Sequence, residues 1–211
     1  LSSVEEEKRL GSARYFIDSA RCAKALGAET IVIHAGSTAK LDRAVALEYG
    51  KAALLHAIEK LHEENLYDGV LLGIETMGKV NQLGTLDEVM ALCQIDERLI
   101  PCIDFGHLNA RDLGVIKSYA DYEAILNTIE NKLGEQRAKC FHSHFSKIEY
   151  TTGGEKRHLT FLDNIYGPNF EPLMELVYKK QATPIFICES AGTQAEDAKA
   201  MKDYYHLQKN V

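Results

Sequence analysis

No run in this 211-residue chain approaches the ~20 consecutive apolar residues that a membrane-crossing helix needs. The opening LSSVEEEKRL has neither the basic start nor the apolar centre of a secretion signal. A soluble, cytoplasmic protein without a membrane partner is therefore expected. The five cysteines are odd in number and scattered, and none forms a CxxC pair, which argues against a disulfide framework or a zinc ribbon. Cys102, Cys140 and Cys188 instead sit in apolar, strand-like runs, where cysteine usually acts as a small buried hydrophobe. Tryptophan is absent, and no GxGxxG, GxxxxGKS or GxxxxGKT loop follows any candidate strand, which weakens a nucleotide-binding reading.

What the chain does contain is enough apolar surface for one core. It is 45% hydrophobic and 26% charged, and at this length a single domain over residues 1–211 is the default. The formal charge of −7 disfavours a non-specific nucleic-acid binder, although a local basic face matters more than the total. Eight histidines are the more useful clue, because five of them fall at strand ends or in loops.

Short β-rich runs alternate with helical patterns. The strand candidates are ETIVIHA (29–35), GVLLGIET (69–76), LIPCIDF (99–105), KCFHSHF (139–145) and PIFICES (184–190), with RHLTF (157–161) a candidate for a short sixth. Each of the five is nearly continuously apolar, as parallel strands covered on both faces are. Leu47, Leu54, Ile58 and Leu61 recur at helical spacing, as do Tyr122, Ile125, Leu126 and Ile129. Ser3–Glu6 and Thr85–Glu88 fit the capping box, and TTGGEKRH (151–158) reads as a flexible polar loop. This alternation predicts a parallel α/β fold.

Polar residues at the strand ends choose between the two common versions of that fold. His34, Glu75, Asp104, His142 and Glu189 each fall near the C-terminal end of a different strand. Barrel enzymes gather their sites from many strands at that rim, so the expected fold is a (β/α)8 barrel of the TIM type. With five clear strands and a chain that opens on a helix cap, one or two N-terminal βα units are expected to be missing from it.

Two glutamates, an aspartate and several histidines at one rim suit Zn²⁺ or Mn²⁺. Clustered carboxylates raise each other's pKa unless a cation joins them. Any one of these residues alone is more often a solvated strand end or a cap partner. The weight comes from five of them on five strands at the same end. His144 alternates with His142 on one strand, so the two share a face. His56, His62 and His206 lie in helical or terminal segments and read as surface residues.

The motifs IHAGS (33–37), GIETMGKVNQLG (73–84), CIDFGHLNA (102–110), FHSHFSK (141–147), KRH (156–158) and ICES (187–190) resemble those of the family 2 apurinic/apyrimidinic endonucleases, the endonuclease IV type, within the xylose-isomerase-like barrels. The resemblance runs from the first helix to just beyond Glu189. It implies up to three zinc ions. One takes Glu75, Asp104, His142 and Glu189; Glu75 bridges to a second that also uses His34; the third uses His107 and His158. His142 is favoured over His144 because the family's histidine lies five residues before a lysine, here Lys147. The family's third site also uses an aspartate two residues before its final histidine. Here that position is Lys156, a cation unsuited to ligation, with Glu155 beside it. The family's other ligand to the second metal, and an aromatic that opens DNA, would precede Leu1.

Two chemistries follow. The first is metal-dependent hydrolysis of a phosphodiester beside an abasic site in DNA, with Glu75 and Glu189 among the catalytic groups and Arg157 or Lys147 available to phosphate. The second is a divalent-metal-dependent isomerase or epimerase of a sugar or sugar phosphate, in which two glutamates exchange protons on opposite faces of carbon. A barrel that binds metal without turnover is the non-enzymatic alternative.

Overall fold

The computed structural model describes residues 1–210, and backbone packing divides it into two compact units. The first holds Leu1–Glu75 and Asn81–Ile100; the second holds Thr76–Val80 and everything from Pro101 onward.

The first unit contains α1 (Glu6–Gly11), α2 (Ala13–Leu26), β1 (Thr30–Ile33), α3 (Arg43–Glu63), β2 (Leu71–Glu75) and α4 (Leu86–Cys93). β1 and β2 pair in parallel, from Thr30 opposite Leu71 to Ile33 opposite Ile74, inside the two predicted runs. Asp42 starts α3 by accepting hydrogen bonds from the amides of Ala44 and Val45. The helix then buries Ala46, Gly50, Ala53, Leu54, Ala57, Ile58 and Leu61, a stripe at spacings of three and four. Much of that stripe is small. α2 presents Ala13, Phe16, Ala20 and Ala23 as its own buried face, and the two helices pack closely.

The Thr85–Glu88 capping box forms as expected, whereas the Ser3 box does not. α1 starts later, with Glu5 as its cap, and the Ser3 hydroxyl instead accepts from the Glu5 amide (3.2 Å) while its carbonyl accepts from Arg9 Nη1 (2.7 Å). Glu88 does more than cap. Its carboxylate takes Arg43 Nε at 2.5 Å and Nη2 at 2.9 Å, together with the amides of Gly84 (2.8 Å) and Thr85 (2.9 Å). Burial alone would raise its pKa, but the Arg43 guanidinium and the two amides outweigh that and hold the carboxyl below its usual range.

The second unit carries the rest of β3 (Leu99–Asp104), then α5 (Phe105–Arg111), α6 (Tyr119–Leu133), α7 (Glu135–Lys139), β4 (His142–Phe145), β5 (Lys147–Thr151), β6 (Gly154–Leu159), α8 (Glu171–Lys179), β7 (Ile185–Cys188) and α9 (Gln194–Leu207). β3, β4 and β7 run parallel. Cys102 lies opposite His142 and Asp104 opposite His144; His142 in turn lies opposite Ile185 and His144 opposite Ile187. Phe105, Phe141, Phe145 and Tyr122 fill the core behind these strands, with the Phe105 ring 5.3 Å from Tyr122 and 6.2 Å from Phe145.

Two expectations need correction here. Residues 157–161 do not add a barrel strand, and 151–158 is not a loose loop: β5 and β6 form an antiparallel hairpin. Gly154, at φ +87°, makes the tight turn that joins them. Cys140 is exposed rather than buried, because it ends α7 and β4 begins only at His142. No described helix is long and apolar enough to cross a membrane.

Glu88→Gln should destabilise the protein by about 2 kcal/mol, since hydrogen bonds to a charged acceptor contribute roughly 1.5–3 kcal/mol. Glu88 has a depressed folded-state pKa, so its contribution is present above the unfolded carboxylate pKa and fades as pH falls through the folded value. Urea denaturation at pH 7 and at pH 3 checks both points: the wild-type advantage over Glu88→Gln should shrink at the lower pH.

Candidate metal centre

The apolar run of β3 ends at Asp104, which is fully buried and caps the helix that follows. Its Oδ1 accepts the His107 amide at 2.7 Å. The three-residue spacing of Asp104 and His107 is thus the spacing of a helix cap and its third residue. Thr76 locks the strand end by accepting the Asp104 amide (2.9 Å) and donating to the Asp104 carbonyl (3.2 Å). Asp104 Oδ2 accepts no hydrogen bond among the described residues, and Nδ1 of His107 is 3.3 Å away. A buried carboxylate oxygen left in this state fits a cation.

Asp104, His144 and Glu189 each offer a ligand atom, all within 4.8 Å of one another, and His144 Nδ1 lies 3.4 Å from Glu189 Oε1. His144 takes this place because it is level with Asp104 across the β3–β4 ladder. His142 is level with Cys102, two residues and therefore about 6.6 Å deeper along the strands. It groups with Cys102 and His144, again with ligand atoms within 4.8 Å. In the first unit, His34 Nε2 lies 2.8 Å from Glu75 Oε2, with the glutamate buried and the histidine exposed.

A further set joins His107, Glu155 and His158, also with ligand atoms within 4.8 Å. His107 Nδ1 lies 2.9 Å from the Thr76 carbonyl, which can only accept, so that nitrogen carries a proton and Nε2 is the one placed to serve as a ligand. That Nε2 faces Glu155 Oε2 at 3.4 Å. His158 Nδ1 bonds the Ser146 hydroxyl at 2.8 Å, and its Nε2 lies 3.8 Å from Glu155 Oε1. Outer partners of this kind orient imidazoles for metal.

Strand periodicity alone would not find Glu155, since residues 155 and 158 should point to opposite faces. A β-bulge removes the conflict. Arg157 pairs with Glu149 and Glu155 with Tyr150, so one step on β5 matches two on β6, and Lys156 is the extra residue. The bulge turns Lys156 outward, where its Nζ bonds Glu149 Oε1 at 2.5 Å. Glu155 is held in place by close backbone packing. Its amide donates to the Gly78 carbonyl at 3.0 Å, a Cβ on Gly78 would come within 2.6 Å of the Glu155 Cβ, and one on Gly154 within 2.1 Å of the Gly78 oxygen.

Neither expected phosphate contact is free. Lys147 is buried and donates to the Asp163 carbonyl at 2.6 Å. Arg157 Nε bonds Glu149 Oε2 at 2.6 Å, and Lys156 and Arg157 together hold the Glu149 carboxyl below its usual pKa range. His62 and His206 are exposed and His56 half-buried, as surface residues should be.

Comparison with known proteins places the fold. The chain belongs to the xylose isomerase-like TIM barrel family, whose profile matches residues 1–209. It is 35% identical over 207 residues to an uncharacterized protein of Methanocaldococcus jannaschii, covering 98% of this chain and 74% of that one. A probable endonuclease 4 of Mycoplasma pneumoniae is 30% identical over 167 residues, 76% of this chain but only 54% of its own length, so the chain spans about half of that relative. Among solved structures, a D-tagatose 3-epimerase-like protein matches with TM-score 0.71 at 19% identity, over 99% of this chain and 74% of that one. Endonuclease IV from Thermus thermophilus matches with TM-score 0.67 at 20% identity, over 98% and 72%. These structural likenesses establish the fold. It is of the (β/α)8 barrel type, with five parallel strands among the described residues where a complete barrel has eight. The resemblance read from the motifs is borne out at the level of the superfamily and the family 2 endonuclease type.

If the bulge is what brings Glu155 to the two histidines, deleting Lys156 should leave metal uptake intact, because a two-residue spacing also keeps one face. Glu155→Gln should weaken one zinc site at least tenfold, within the roughly 10–100-fold that even outer-shell changes cost. Isothermal titration of both variants with Zn²⁺ decides the matter.

Proposed function

We propose that this protein is a zinc-dependent hydrolase that cuts DNA at abasic sites, in the manner of an endonuclease IV repair enzyme. The observation that carries the proposal is the His107–Glu155–His158 set, which exists in addition to the Asp104–His144–Glu189 set. A one-metal isomerase has less need of it. The pair His34–Glu75 supplies two more donors in the family pattern, and Mn²⁺ suits the same oxygen and nitrogen ligands.

The donors fit cations, as the buried Asp104 Oδ2 and the His107 ring anchored on the Thr76 carbonyl argue. Divalent cations held by these residues supply a lowered pKa for an attacking water and charge stabilisation for the leaving oxygen. The chain's own residues do the positioning. Asp104 is fixed by Thr76 and by the helix it caps, His107 and His158 by the Thr76 carbonyl and the Ser146 hydroxyl. Glu189 has a side chain 37% exposed, which leaves its carboxylate accessible to exchange a proton with a bound substrate.

One observation favours the second reading, a divalent-metal-dependent sugar or sugar-phosphate isomerase or epimerase. Lys147 and Arg157, the basic residues expected to hold DNA phosphate, are engaged within the chain. The outcome is decided on a duplex carrying one abasic site. The zinc-loaded protein should nick it on the 5′ side, and Asp104→Asn should slow nicking by more than about 100-fold, beyond the usual cost of an outer-shell change. An intact duplex, combined with turnover of a keto-sugar by the same preparation, would replace the nuclease with the isomerase.

A further inference from the structure

Below the rim lies a second layer whose chemistry differs from that of the carboxylate sites. Cys102 on β3 and His142 on β4 are direct partners in the parallel ladder, so both side chains leave the sheet on one face at one level. His144 stands two residues further along, and its ring meets that of His142 edge-on at 5.5 Å. The sulfur and the imidazole nitrogens of the three residues lie within 4.8 Å of one another, and all three side chains are buried.

We propose that Cys102, His142 and His144 form a buried zinc site, which shares His144 with the carboxylate–imidazole set above and adds a thiolate and a second imidazole. Zinc–sulfur and zinc–nitrogen bonds of about 2.3 and 2.0–2.1 Å at tetrahedral angles put ligand atoms roughly 3.4–3.6 Å apart. The three donors therefore need to close by at most about 1.4 Å, within the reach of side-chain rotation. A thiolate with two imidazoles prefers Zn²⁺ to Mn²⁺ or Mg²⁺, whereas an oxygen-rich set discriminates less. Metal binding here releases the Cys102 thiol proton to solvent, and the thiolate becomes the ligand.

His144 belongs to both layers, with Nδ1 3.4 Å from Glu189 Oε1. The neutral imidazole offers one nitrogen to a metal and keeps a proton on the other, so His144 bound in the lower site would present its remaining N–H to Glu189, and filling that site fixes the ring that the upper level needs. The inference stands apart from the nuclease proposal, since a barrel of either activity could carry such a site.

Zinc K-edge X-ray absorption of the zinc-loaded full chain tests it. The expected spectrum contains a Zn–S shell at about 2.3 Å. That shell should vanish in Cys102→Ala and persist in Asp104→Asn, which disturbs only the upper layer. A wild-type spectrum with nitrogen and oxygen neighbours alone would overturn the proposal, as would a sulfur shell that survives Cys102→Ala. Should Cys102→Ala not fold, Cys102→Ser with Co²⁺ gives the same answer: the wild type should show a thiolate-to-cobalt charge-transfer band that the serine variant loses. Lack of nicking by a protein that shows the sulfur shell would remove the nuclease reading and leave this site in place.

Discussion

The hydrogen bond from the His107 amide to Asp104 Oδ1 is the contact on which the rim of the second unit depends. It ends a buried strand and starts a helix within a single residue, and it turns one oxygen of the carboxylate into a structural cap. The other oxygen is left facing inward. The same bond places His107 at the third helical position, from which its ring reaches the Thr76 carbonyl and, beyond it, Glu155. Two sets of candidate metal donors thus grow from the two ends of one cap. Lengthening or shortening the turn by one residue would separate them, because the helix would then present a different side chain to the Thr76 carbonyl.

Depth in the barrel follows from the ladder in the same direct way. Parallel pairing sets Cys102 with His142 and Asp104 with His144, so a strand with two histidines contributes one to each level. The motif spacing to Lys147 selects His142, yet spacing along one strand says nothing about which residue of a neighbouring strand lies alongside. Register between strands about forty positions apart decides that, and here it brings His144 to Asp104 and Glu189. Lys147, the anchor of the motif, donates to the Asp163 carbonyl.

What could be read from the sequence was whatever a continuous apolar run makes unambiguous. Five strands lie within the predicted runs; Asp104 ends β3 and Glu189 directly follows β7, while His107 lies in α5 and His158 in the hairpin strand β6. The hairpin was not legible, because its second strand, GEKRHL, lacks apolar alternation; backbone pairing with β5 holds it. Ser3 shows the converse. It satisfies a capping pattern in sequence, yet Arg9 draws its carbonyl into a different turn and the helix begins elsewhere. Cys140 likewise belongs to an apolar run by composition, and one residue's difference in where a helix ends leaves it exposed.

The bulge at Lys156 also settles a question of charge. An ammonium beside a dication costs roughly 2 kcal/mol at 4 Å even in bulk water, and several times more near a protein surface. A strand of regular pleat with the sequence Glu-Lys-Arg-His would place Lys156 on the same face as His158 and turn Glu155 away. One extra residue reverses both. Glu155 joins the histidines, Lys156 is given to Glu149, and Arg157 shares that same carboxylate from across the ladder. The hairpin's inner face then carries the acceptor and its outer face the cations. An inserted residue that looks like damage to a ligand motif is, in three dimensions, what keeps a carboxylate in it.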